Sequence, residues 1–198
     1  MEEKNNEEKI IGEKKSEKKG SVIKEIFSTI VYIAAVLLIS FLFITFVAQR
    51  TQVSGSSMLD TLHDGDSLII SKISYIVGEP ERFDIVVFPH TDSVSGEQSY
   101  FIKRIIGLPG ETVQIDLYGN IYIDGEILEE DYGKEVILNP GLAVDEITLG
   151  DDEYFVLGDN RNDSLDSRYA EVGNIKREDL IGKAVFRLYP FDTFGGIE

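Results

Sequence analysis

Two hydrophobic periodicities divide the chain. From Ile26 to Ala48 run 23 residues with no charged side chain, among them Ile30, Val31, Ile33, Val36, Leu37, Leu38, Ile39, Phe41, Leu42, Phe43 and Ile44. At 1.5 Å per residue this run makes roughly 34 Å of helix, enough to cross a hydrocarbon core of about 30 Å. A buried core helix is seldom this long and apolar all round, and a cleavable leader has an apolar region of only about 7 to 15 residues. The pattern predicts a retained transmembrane helix over 26–48.

Beyond Arg50 the pattern changes to short apolar runs separated by turn signals. Candidate strands are 67–71, 84–88, 100–106, 112–116, 120–123, 153–157 and 183–189. Between them stand Asp64-Gly65-Asp66, Pro109-Gly110, Tyr118-Gly119-Asn120 and Asp124-Gly125, combinations that favour hairpins and tight reversals. Only 175–180 suggests a helical turn. The expected fold is mainly β, one domain over 49–198 behind the single helix.

Charge and composition sharpen this division. Residues 1–25 hold seven lysines and seven glutamates, which cancel, so the net charge of −17 resides in the remainder of the chain. With few apolar side chains, this segment cannot offset its ordering entropy and is expected to be a disordered tail. Lys9, Lys14, Lys15, Lys18, Lys19 and Lys24 precede the apolar run closely, whereas only Arg50 follows it closely. This asymmetry predicts a cytoplasmic tail and an extracytoplasmic domain. The domain's acidity serves solubility and repels nucleic acid phosphates. The chain has no cysteine, which excludes thiol nucleophiles, disulfides and thiolate zinc sites.

A serine hydrolase needs a base for the hydroxyl proton and donors for the oxyanion. The two histidines, His63 in a polar turn and His90 between Pro89 and a Ser-, Asp- and Gly-rich loop, read as exposed loop residues. Lysine can be a base only where desolvation or a like charge lowers its pKa. Lys103 lies within Tyr100-Phe101-Ile102-Lys103-Arg104-Ile105-Ile106. Strand alternation puts it on one face with Phe101 and Ile105, and Arg104 on the other with Ile102 and Ile106. Taken alone, such a lysine more often packs its stem and extends its head to water. Val53 through Leu62, with Ser54-Gly55-Ser56-Ser57-Met58, offers Ser57 as a nucleophile, although a Ser/Gly run after a membrane helix is commonly a linker. The segment from Gly158 to Arg168 is dense in hydrogen-bonding groups. It reads as a surface loop or a calcium loop, but Arg161 at the third position and the missing glycine at the sixth argue against an EF-hand.

Together and in this order, these segments resemble the bacterial type I signal peptidases, a Ser/Lys-dyad serine peptidase family. Ser57-Met58 resembles the nucleophile box, Phe101 to Gly110 the lysine box, and Gly158-Asp159-Asn160-Arg161 through Ser164, Asp166, Ser167 and Arg168 the last box. Arg82 to Phe88 is similar to a further stretch, with Phe83 where glycine is commoner. Asp60 stands where proline is usual.

The resemblance implies a membrane-anchored serine endopeptidase that removes signal peptides from secretory preproteins after an A-x-A-like site. Ser57 would be the nucleophile and Lys103 its base. Ser164 would orient the lysine, while Asp159 and the Asp166–Arg168 pair would brace the site. The oxyanion would be held by the Ser57 N–H, with Gly55 where some members supply a serine hydroxyl. Met58, Leu62, Phe101 and Ile102 would line shallow substrate pockets. The resemblance implies no metal or organic cofactor; preproteins and membrane lipid are the expected partners. Alternatives are a catalytically silent assembly factor, a self-cleaving Ser/Lys peptidase and an anchored ligand-binding β-domain.

Overall fold

The computed structural model describes residues 24–42 and 47–197. The expected tail over 1–23 and residues 43–46 of the apolar run lie outside them.

The first unit holds α1, Lys24–Leu42, long and apolar enough to cross a membrane. Lys24 and Glu25, assigned to the tail by their charge, are its first turn, where the Thr29 hydroxyl donates to the Glu25 carbonyl at 2.9 Å. The last residue of the apolar run, Ala48, belongs to a strand instead of the helix.

The second unit is β-rich, as expected. Among its described residues the strands are β1 (Ala48–Gln52), β2 (Ser67–Ser71), β3 (Ile85–Thr91), β4 (Gln98–Gly107), β5 (Thr112–Ile115), β6 (Ile121–Ile123), β7 (Glu126–Ile127), β8 (Ile147–Thr148), β9 (Glu153–Leu157), β10 (Ile175–Lys176), β11 (Gly182–Tyr189) and β12 (Gly195–Gly196). A short α2, Ser74–Val77, follows β2. The larger sheet runs β1-β2-β11-β3-β4-β9-β10, with β12 on β11; the smaller runs β7-β6-β5-β8. Every pairing is antiparallel. The 175–180 segment is a strand and a single 3-10 turn, not an α-helical one.

Three apolar clusters follow from strand alternation. Val86, Phe88, Ile105, Tyr154 and Val156 pack one face of the large sheet, with Phe101 against them. Ile85, Val87, Leu68, Ile70, Met58 and Leu62 pack another, with Ile102 alongside. Ile106, Val113, Ile115, Phe155 and Leu157 join the small sheet to the large. Buried apolar side chains of this size are each worth about 1.5–3 kcal/mol, so β3 and β4 at the sheet's centre are a firm platform for what they carry.

Candidate active site

The lysine-bearing strand obeys the predicted alternation. Lys103 pairs across with Val86 and shares its face with Phe88 and Phe101; the Lys103 ammonium nitrogen lies 4.9 Å from the Phe101 ring centre. Its side chain is 3% exposed, and Nζ lies 2.7 Å from Ser57 Oγ and 3.1 Å from the Ile102 carbonyl. Burial drives the Lys103 pKa down from 10.5 to about 8, opposed by the charges of Asp166 and Asp159. With the amine neutral, the Ser57 hydroxyl can donate to Nζ, the orientation a base requires.

Ser57 sits in the turn after β1. The Ser57 carbonyl accepts the Asn160 N–H at 3.0 Å, and the Ser56 carbonyl accepts the Asn160 side-chain amide at 3.1 Å. The Ser56 hydroxyl donates to Asp163 Oδ2 at 2.6 Å. Gly55 has φ +98°, backbone that a residue without Cβ adopts freely, and its N–H donates to Asp64 Oδ1 at 2.9 Å. The turn that carries Ser57 is thus tied both to the loop at Asp64 and to the segment beginning at Gly158. That segment passes so close that a Cβ on Gly158 would collide with the Ser57 carbonyl and Ser164 Oγ.

Arg104, on the opposite face from Lys103, carries the buried bracing. Its guanidinium grips Asp159 at 2.9 and 2.8 Å, donates to the Phe83 carbonyl at 2.8 Å and lies 3.7 Å from the Tyr132 ring centre. Thr61 Oγ1 donates to the same Asp159 at 2.5 Å, so one carboxylate links the segment after Ser57 to β4. Asp166 and Arg168 form a second buried pair at 2.8 Å, and Asp166 also accepts the Gly158 N–H at 3.1 Å. Phe83, in the position where glycine is commoner, has φ +74°, and its ring packs on Tyr132. Asp60 is exposed and lies 3.4 Å from Lys134.

A cleft of about 430 Å³ opens at the dyad, lined in part by Val53, Gly55, Met58, Phe101, Ile102 and Leu165. Leu62 is not among its walls; it is fully buried in the core cluster that also holds Met58, whose carbonyl accepts the Leu62 N–H at 2.7 Å. Ser164 differs too. Its Oγ is buried without a hydrogen-bond partner among the described residues, so it does not bond Lys103 here. His63 is exposed as expected, but His90 is half-buried in β3, not a loop, and stacks on Phe101. No cluster of metal-ligating side chains occurs among the described residues.

The family model for signal peptidase, peptidase S26, matches residues 23–189. The chain belongs to that family. Among its relatives, the probable signal peptidase I-2 of Synechocystis sp. is 44% identical over 153 residues, covering 76% of this chain and 67% of that protein. Signal peptidase I of Leptolyngbya laminosa is 41% identical, covering 76% and 73%. Signal peptidase I of Bacillus amyloliquefaciens is 33% identical over 186 residues, covering 90% and 94%. This peptidase S26 chain is therefore a serine endopeptidase of the kind that removes signal peptides, and the silent-factor reading is not favoured. Sequence reasoning assigned no bracing contact to Ser56, Thr61, Asn160, Asp163, Arg104 or Tyr132, which hold the segments together across sequence separations that no local pattern reveals.

Proposed function

We propose that Ser57 is the nucleophile and Lys103 the general base of this peptidase. The observation that carries the reading is the 2.7 Å approach of Lys103 Nζ to Ser57 Oγ at the wall of an open cleft, with the lysine buried. Neutral Lys103 accepts the hydroxyl proton as Oγ bonds to the scissile carbonyl carbon. The ammonium then returns that proton to the departing amine as the C–N bond breaks. Water attacks the acyl-enzyme with the amine again as base, regenerating Ser57. The Ser57 N–H has no partner among the described residues, which suits it to hold the oxyanion.

Asp159, Asp166 and Arg168 brace this arrangement through the pairs described above. In Ser164, the buried hydroxyl is the group available to steady Lys103 once substrate enters; Gly55 keeps the approach to the carbonyl open. Met58, Phe101 and Ile102 form apolar walls that accept small side chains, in keeping with cleavage after an A-x-A-like site. The lysine excess before α1 supports a cytoplasmic N-terminus and an extracytoplasmic domain in the plasma membrane, with α1 in contact with lipid and secretory preproteins as substrates.

The test is cleavage of a purified secretory preprotein by the full chain in detergent, with the product's new N-terminus sequenced. Cleavage after a small-x-small site, lost in Ser57→Ala and in Lys103→Arg, is the expected result. Arginine keeps the charge but cannot give up a proton, so substantial turnover by Lys103→Arg would overturn the lysine mechanism.

A further inference from the structure

The β3–β4 hairpin outruns the sheet that supports it. β11 pairs with β3 only at Val86 and Val87, and β9 pairs with β4 only from Arg104 onward. Beyond those rows Phe88 to Thr91 and Gln98 to Phe101 form a two-stranded ribbon, an arrangement with little stability of its own. Phe101 stands on this ribbon, yet it is a wall of the cleft and lies against Lys103. Phe88 meets it edge-on at 6.1 Å from the sheet side. On the outer side the neighbouring ring is His90, diagonal to Phe101 across the ribbon, stacked at 4.2 Å with 25° between the planes.

We propose that His90 is a positioning residue for peptide cleavage: its ring clamps Phe101 against Lys103 and so keeps water from the base. The inference rests on the reading of Lys103 as base. Stacked rings at this separation attract beyond the area that they bury, and among the described residues no third strand pairs with the ribbon to do the same work. A loosened Phe101 admits water to Nζ, and hydration favours the charged, inactive amine. The carboxylates of Asp159 and Asp166 act on Lys103 in the same direction, and that of Asp163 lies in the cleft. Beside His90 itself the charged neighbour is Asp92 on the same hairpin.

The test compares the pH dependence of preprotein cleavage by the full chain for wild type, His90→Ala and His90→Phe. His90→Ala is expected to move the midpoint to higher pH by about one unit, a roughly tenfold loss at pH 7 that disappears on the alkaline plateau. His90→Phe keeps an aromatic ring over Phe101, so it should restore the wild-type midpoint. A wild-type midpoint near pH 8 that His90→Ala leaves in place overturns the clamp alone. A shift that His90→Phe does not restore also overturns it. A wild-type rate that does not change between pH 7 and pH 10 overturns the reading of Lys103 itself, and the clamp with it.

Discussion

Burying Lys103 weakens the fold, and the size and pH dependence of that effect can be worked out from its environment. The folded pKa of about 8 lies below the value of 10.5 for the free side chain. Below pH 8 both folded and unfolded chains carry the proton, and the folded state bears the full penalty, about 3 kcal/mol at 1.36 kcal/mol per pH unit. Between pH 8 and 10.5 the unfolded chain holds the proton and the folded chain has lost it, so stability from this group rises with pH. At pH 10 less than about 1 kcal/mol of the penalty remains. Lys103→Met keeps the length of the stem without the charge. It should stabilise the full chain in detergent by up to about 3 kcal/mol at pH 7 and by under about 1 kcal/mol at pH 10 while abolishing cleavage. Urea unfolding at both pH values measures the two differences. Comparing wild type with mutant at each pH cancels contributions from the groups that the two share. An equal difference at pH 7 and pH 10 would refute the reasoning, because it would mean that Lys103 titrates alike in both states.

Further outcomes follow from the same geometry. Cleavage efficiency by the wild type should rise with pH through a midpoint near 8 and then level, since only the neutral amine can take the Ser57 proton; initial rates from pH 6 to 10 check this. Asp159→Ala strands the fully buried Arg104 and should cost about 3–5 kcal/mol in urea unfolding, whereas Asp159→Leu with Arg104→Met should recover most of it. Gly158→Ala puts a methyl group against the Ser57 carbonyl; a displacement of the order of 1 Å at the nucleophile should lower kcat by roughly 100-fold, measured in single-turnover cleavage.

The elements legible in the sequence were those whose burial repeats with a short period. β2 and β9 lie where the apolar runs put them, and the alternation along β4 put Lys103 and Arg104 on opposite faces, as they are. β1 was hidden because its first residue continues the apolar run of the helix with no turn signal between them. For Leu62, spacing says that it follows Met58 by a turn, and both are buried in one core cluster; that only Met58 also reaches the wall of the cleft is decided by tertiary packing.

Long-range polar pairing is the part that no window of sequence contains. Arg104 and Asp159 are 55 residues apart, and Thr61 meets that carboxylate from 98 residues away. Buried charges require such partners, so the presence of Arg104 in an apolar strand implied a carboxylate somewhere, without saying which. His90 shows the converse. A histidine after a proline reads as a loop residue, because proline lacks the N–H of a central strand. Here Pro89 lies on the ribbon that extends past β11, where that missing donor costs nothing, and the strand continues through it to put His90 over Phe101. The reach of one hairpin beyond its sheet therefore turns an unremarkable histidine into a neighbour of the cleft beside Ser57 and Lys103, and it does so through strand lengths, which hydrophobic periodicity specifies poorly at their ends.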